Sequence, residues 1–281
     1  MAIKLMYITN RIEVAKIAES VGVDRIFVDM ETLGKAERQR GMDTVKSFHT
    51  VEDVRSIKNA VTTAQVLARI NPMHEAVEGY CSSKEEIDAV IEAGADVIML
   101  PYFKTVEEVK TFIDMVAGRA KTLPLVETPE AVAAIDEILA LPGIDEIFVG
   151  LNDLSIGYEK RFMFELLSDG TVESLCEKFK AKGIPYGFGG IASLGKGLLP
   201  AEYVIKEHYR MGSTCAILSR SFCNINQVSN MEEVQSLFEK GVKDIREFEE
   251  TCTHCDNKEF CQNKQTVAEC VNLICEKIES K

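Results

Sequence analysis

No stretch of this chain reaches the roughly 18 consecutive apolar residues that a membrane-spanning helix needs, so no transmembrane segment is expected. Positive charge is scarce too. Lysine and arginine total 32 against 45 aspartates and glutamates, a formal net charge of −13. That balance speaks against nucleic acid or an anionic membrane as the main partner, since both repel an acidic surface. The opening residues, MAIKLMYITN, contain no basic segment leading into a long apolar core. No signal peptide is therefore expected, and a cytoplasmic location is the default. Nine cysteines in such a chain read as thiols or ligands rather than disulfides. Five of them form the pattern C-x2-C-x5-C-x8-C-x4-C near the C-terminus. A second CxxC, which a four-thiolate zinc or iron–sulfur site would want, is missing, and half-buried thiols on a short helix account for the pattern.

What is present is a chain of 281 residues with 46% apolar content. That suits one α/β barrel of about 250 residues plus a tail. Eight strand-like runs recur at 4–9, 25–30, 64–71, 96–102, 122–128, 145–153, 185–192 and 214–220. Helical patterns separate them at 11–22, 50–61, 82–94, 105–117, 129–141, around 162–182 and at 201–212, with a closing helix at 231–250. Thr50 with Asp53 has capping-box spacing, and Ser82 and Gly94 bracket another helix. The strands are apolar on both faces, which favours a closed parallel barrel over an open doubly wound sheet. The expected organisation is a TIM (β/α)8 barrel over residues 1–250, with a cysteine-rich extension over 251–281 that ends in a short helix.

Six of the apolar runs end in a charged or special residue: Asp29 and Glu31, Arg69, Pro101, Glu127, Asp153, and Gly189-Gly190. In a parallel barrel these ends gather at one rim, where barrel enzymes carry their chemistry. Glu127 alone could cap the helix that Pro129 begins, and Asn152-Asp153 alone could shape a turn. Two carboxylates on successive strand ends point instead to a hard divalent cation such as Mg2+, which takes few carboxylates and keeps positions open for substrate. Arg69 ends a strand buried on both faces and needs an anionic partner. That partner is either Asp29 or Glu31, or a substrate carboxylate or enolate oxygen. Asp29 and Glu31 alternate along their strand, so one can hold Arg69 and the other a metal-bound water. The loop from Thr32 to His49 has the length of a functional lid. Its Lys35 and Arg38 suit contact with the anionic distal part of a substrate, while His49 has the intrinsic pKa of a general base. Gly189 and Gly190 are candidates for substrate contact, because the loops after strands seven and eight of a barrel often hold phosphate, and Asn152 beside Asp153 is a further candidate. Glu207-His208-Tyr209-Arg210 falls in a helix and reads as a packing patch.

The run LVETPEAVAAIDEILALPGIDEIFVGLNDLS, together with RIFVDME, ARINP and GADVIMLP, resembles the pyruvate-dependent class II aldolase and citrate lyase β-subunit family, of the 4-hydroxy-2-oxoheptanedioate aldolase type. The similarity extends over roughly residues 1–225. It implies a TIM barrel, often oligomeric through its last helix, so a homo-oligomer is expected. It also implies Mg2+ or Mn2+ held by the positions of Glu127 and Asp153, and an arginine at Arg69 that stabilises a pyruvate-type enolate. One departure stands out. Thr32 follows Glu31, where the aldolase branch has histidine and the lyase branch an acidic residue; the ARINP motif leans toward the lyase branch. The leading expectation is a metal-dependent carbon–carbon lyase acting on a small anionic 2-oxo acid or related hydroxy acid, with Arg69, Glu31 and His49 catalytic. The alternatives are a citrate-lyase-like enzyme cleaving or hydrolysing a β-hydroxyacyl-CoA, and a catalytically silent barrel serving binding or assembly.

Overall fold

The computed structural model describes residues 2–35, 47–225, 227–228 and 230–280. Eight strands, β1 (Lys4–Ile8), β2 (Arg25–Asp29), β3 (Gln65–Arg69), β4 (Val97–Leu100), β5 (Lys121–Val126), β6 (Ile147–Val149), β7 (Tyr186–Ile191) and β8 (Cys215–Leu218), pair in chain order. Every pairing is parallel, and β8 returns to β1 with Lys4 beside Cys215. The sheet is therefore closed, the expected (β/α)8 barrel.

Helices cover its outer face. They are α1 (Ile12–Ser20), α2 (Val51–Ala60), α3 (Ser83–Glu92), α4 (Val106–Val116), α5 (Pro129–Ala133), α6 (Ile135–Ile138), α7 (Leu151–Gly157), α8 (Glu165–Ser168), α9 (Thr171–Lys182), α10 (Ala201–Met211), α11 (Met231–Thr253) and α12 (Asn257–Glu279). Local chemistry fixes several starts. Thr50–Asp53, Ser82–Glu85 and Thr105–Glu108 each form a reciprocal capping box, satisfying amides that the first turn leaves unpaired.

Two apolar layers follow from strand alternation. Inward-facing Met6, Phe27, Leu67, Met99, Leu123, Leu125 and Phe148 fill the barrel lumen. Outward-facing residues such as Leu5, Val28 and Ala68 pack under the helices with Val14, Ile57 and Phe112. Each fully buried side chain of this size contributes about 1.5–3 kcal/mol, which makes closure cooperative. At the start of β2, fully buried Arg25 donates to both carboxylate oxygens of Glu146 at 2.8 and 2.5 Å and to Gln65 Oε1 at 3.0 Å.

The tail differs from a short appended helix. α12 runs for 23 residues and packs against α8 and α10, burying Val267, Val271 and Cys275 at helical spacing. Asn263 donates to Glu207 Oε1 at 2.9 Å and to the Tyr203 carbonyl at 3.1 Å, and Lys264 pairs with Glu173 at 2.5 Å. Glu207 also receives Arg210 at 2.7 Å, and the Tyr209 hydroxyl donates to Glu249 at 3.0 Å, so the 207–210 patch fastens both closing helices. All nine cysteines are free thiols, and among the described residues no cluster of three His, Cys, Asp or Glu side chains forms a metal cage. Nor is any described helix long and apolar enough to cross a membrane.

His208 lies fully buried, stacked on Phe188 with ring centroids 3.9 Å apart, and its Nδ1 meets the Ser213 hydroxyl at 2.8 Å. Burial drives its pKa down to about 3. The unfolded chain takes up this proton near pH 6.5 and the folded chain does not, so stability falls as pH drops from 6.5 toward 3. Between pH 7.5 and 5 the imidazole alone is expected to cost about 2 kcal/mol. His208→Phe should narrow the difference in urea-unfolding free energy between those pH values by that amount. An unchanged gap would show that the ring titrates normally.

Candidate active site

The sequence-selected residues meet at the C-terminal rim. Thr128, not Glu127, caps α5: its hydroxyl accepts from the Ala131 amide, and Pro129 takes the first helical position. Glu127 is thereby released to point into the barrel mouth, where it is buried. Its Oε1 accepts the Tyr102 amide at 2.9 Å. Tyr102 reaches that position with φ at 48°, in the left-handed region that costs a non-glycine residue about 1–3 kcal/mol. Gly150 completes the seat, because a Cβ there would lie 2.7 Å from Glu127 Oε2.

Asp153 is not at a strand end as expected. β6 stops at Val149, and Asp153 sits in the first turn of α7. The turn still delivers it to the cavity that Glu127 lines, which has a volume of about 280 Å³. Burial, followed by the charges of Glu31 and Asp153, pushes the Glu127 pKa well up, against the opposing pull of Arg69 and the Tyr102 amide.

A second group of charges packs beside this pair. Arg69 at the end of β3 donates to both oxygens of Asp29 at 2.8 and 2.7 Å and approaches Glu31 at 3.5 Å. Lys35 reaches Asp29 at 2.9 Å and Glu31 at 3.3 Å. Burial alone would raise the Asp29 pKa, but Arg69 and Lys35 outweigh it and hold the carboxyl well below the ordinary range. Arg69 likewise stays charged: burial opposes this, and Asp29 and Glu31 overcome it.

The cavity wall includes Lys35, Arg69, Glu127, Asn152, Asp153, Gly189 and Gly190 from the expected set. Gly189 has φ at 56°, and a Cβ there would meet Leu151 at 2.7 Å, so the wall is closed by a residue that only glycine fits. Glu31 is fully buried behind Lys35 and Arg69, outside the wall. His49 lines a neighbouring cavity instead. Its Nδ1 accepts the Asp29 amide at 3.0 Å, which leaves the proton of the neutral ring on Nε2. Burial lowers the His49 pKa against the pull of Asp29 and Asp53. Arg38 lies outside the described residues.

Three contributors escaped the sequence reading. Arg220, just beyond β8, lines the same cavity. Asn71 Oδ1 accepts the Thr32 and Leu33 amides, each at 2.8 Å, while its Nδ2 donates to Tyr80 and Glu86, so it fixes the turn that carries Lys35. The Tyr102 amide is the third. The rule applied to Arg69, a charged residue that closes an apolar run, would have flagged Arg220 at the end of the run 214–220.

The donor set suits a hard dication. Glu127 and Asp153 offer oxygen ligands to one small cavity, and a cation held between them would relieve their mutual repulsion.

A parallel (β/α)8 barrel with acidic and cationic groups gathered at its C-terminal rim defines an enzyme-type barrel. The chain belongs to the HpcH/HpaI aldolase/citrate lyase family, whose model matches residues 5–184. It is 29% identical over 148 residues to a hydroxypyruvate/pyruvate aldolase of Sagittula stellata; the match covers 42% of this chain and 57% of that protein. Solved barrels agree in fold. A HpcH/HpaI aldolase/citrate lyase family protein of Burkholderia cenocepacia J2315 superposes with a TM-score of 0.57 at 14% identity, over 78% of this chain and 88% of that one. A HpcH/HpaI aldolase of Desulfitobacterium hafniense DCB-2 gives 0.55 at 17% identity, over 88% and 93%.

Proposed function

We propose that the protein is a divalent-metal-dependent carbon–carbon lyase that acts on a 2-oxo acid or related hydroxy acid through a pyruvate-type enolate. The observation that carries this reading is the convergence of Glu127, Asp153, Arg69 and Lys35 on one cavity of about 280 Å³. Glu127 and Asp153 would hold Mg2+ or Mn2+, which supplies Lewis acidity toward the substrate's carboxylate and carbonyl oxygens.

The chain's own residues do the rest. Arg69, locked by Asp29, presents a guanidinium that does not need to reorganise as charge develops on the enolate oxygen. Lys35 lines the same wall, ion-paired to Asp29 at 2.9 Å and to Glu31 at 3.3 Å, and its ammonium binds the anionic end of the substrate. Glu31, packed behind Lys35 and Arg69, orients the water that takes the proton of the substrate hydroxyl. Thr32 supplies no base, since its amide and hydroxyl both turn to Asn71. Lumen residues Phe27, Leu125 and Phe148 form the cavity floor and keep water out.

The test is turnover of 4-hydroxy-2-oxo acids and decarboxylation of oxaloacetate, before and after EDTA. Activity lost on chelation and restored by Mg2+ or Mn2+ is expected. Undiminished turnover after exhaustive chelation would contradict the metal, and turnover of acyl-CoA esters alone would contradict the substrate class.

A further inference from the structure

We propose that Asn71, Glu86 and Tyr80 are positioning residues for Lys35. They form one polar network, running from α3 through the β3–α3 loop to the turn after β2, that sets how tightly the cavity holds an anionic substrate. The proposal rests on the lyase reading of that cavity and adds what aims its substrate-binding cation.

Asn71 follows β3 and is buried, as is Glu86 in α3. Asn71 Oδ1 accepts the Thr32 and Leu33 amides, each at 2.8 Å. Its Nδ2 donates to Glu86 Oε1 at 2.9 Å and to the Tyr80 hydroxyl at 2.8 Å. That hydroxyl donates in turn to Glu86 Oε1 at 2.9 Å, and the Asn71 amide reaches Glu86 Oε2 at 3.2 Å. Burial raises the Glu86 pKa, and these three donors oppose it. Each partner has one role, because backbone amides only donate and a carboxylate ringed by donors only accepts. The Asn71 side chain therefore has one orientation. Turned over, its NH2 would face two N–H groups and its oxygen a carboxylate, leaving buried groups unpaired. The loop holds Tyr80 within reach. Val77 and Tyr80 exchange backbone bonds at 3.1 and 3.0 Å, and the His74 ring bridges the Pro72 and Cys81 carbonyls at 2.7 and 2.8 Å.

The turn that Asn71 grips delivers Lys35 to Asp29, to Glu31 and to the cavity wall. Loss of the Asn71 acceptor frees residues 32 and 33 from β3, and Lys35 loses its fixed approach. An ammonium that grips the substrate's anionic end does so in ground and transition states alike, so the loss falls on KM rather than kcat. The network also has a polarity that substitution can reverse. Asn71→Asp sets a second carboxylate against Glu86. Glu86→Gln turns an NH2 toward either Asn71 Nδ2 or the Asn71 backbone amide, donor against donor. Made together, the two changes satisfy every group. The glutamine NH2 donates to the new carboxylate and to the Tyr80 hydroxyl, the glutamine carbonyl accepts the backbone amide, and the hydroxyl donates to the carboxylate.

The test is steady-state kinetics on 4-hydroxy-2-oxo acids with Mg2+. Asn71→Asp and Glu86→Gln should each raise KM about tenfold or more with kcat within about threefold, and the double variant should return KM to within about threefold of wild type. One single change adds a negative charge and the other removes one, so an electrostatic field alone would move KM in opposite directions. Movement in opposite directions, a wild-type KM in either single variant, or a double variant no better than the singles would overturn the proposal. Should a single variant fail to fold, Tyr80→Phe, which loses one hydroxyl from a half-buried loop residue, carries the test. Its KM should rise about threefold or more at level kcat, and an unchanged KM would overturn the network. Deuterium exchange into the pyruvate methyl group, measured on wild-type enzyme, reports the lyase reading separately. If neither exchange nor turnover occurs, that reading fails and calorimetry with oxalate and Mg2+ decides the network. Wild type and the double variant should then bind oxalate about tenfold more tightly than either single, and equal affinities or no binding by wild type would overturn it.

Discussion

Glu127→Gln is expected to lower kcat/KM of the proposed metal-dependent reaction by at least about 10³-fold, equivalent to roughly 4 kcal/mol of lost transition-state stabilisation. Glutamine keeps the side-chain volume and the acceptor for the Tyr102 amide, so the seat formed with Gly150 survives. What disappears is one negative charge from a crowd that also holds Glu31 and Asp153. The stability of the metal-free protein should therefore stay level or rise, since the change removes a buried carboxylate that Glu31 and Asp153 repel. Calorimetric titration with Mn2+ should show the affinity loss directly, and urea unfolding should show an intact fold. A folded Glu127→Gln variant with wild-type turnover would remove Glu127 from the chemistry and the cation site with it.

The barrel was legible because burial on both faces leaves a plain mark: RIFVD and VIML contain no alternation, and each is followed by a helical pattern. Arg69 and Glu127 were legible for a related reason, since a charge at the end of such a run has no solvent beside it and must find a partner. Asp153 was assigned to the right rim on the wrong element, because Gly150 ends β6 and a helix begins one residue later, a boundary that apolar content does not show. Other features depend on closure. Arg220 faces the cavity only because β8 lies against β1, and the Tyr102 contact is made by a backbone amide, which sequence cannot label. His49 went to the neighbouring chamber because its ring is tied to the Asp29 amide across the loop. In the tail, the conspicuous thiols masked a plain helical stripe, Val267, Val271 and Cys275, whose spacing alone marks a docked helix.

Removing Glu146 should be the most damaging single change away from the active rim. Arg25 is fully buried, and its guanidinium is satisfied by the two Glu146 oxygens and Gln65. Lys4 and Lys121 also approach Glu146, at 3.6 and 3.9 Å. Glu146→Ala would leave the buried Arg25 guanidinium facing a void in the barrel floor, with Lys4 and Lys121 turned to solvent, and breaking a buried pair in this way costs about 3–5 kcal/mol. Salt should recover little of it, because screening is weak where water does not reach. Replacing both partners, Arg25→Met with Glu146→Leu, should recover most of the loss, because the penalty lies in the stranded charge more than in the missing bond. Urea unfolding of the three proteins checks both statements, and turnover below the melting range should be unaffected, since the pair sits at the end of the barrel opposite the cavity. A loss below about 1 kcal/mol in Glu146→Ala would mean that water already solvates Arg25 and that the floor is open.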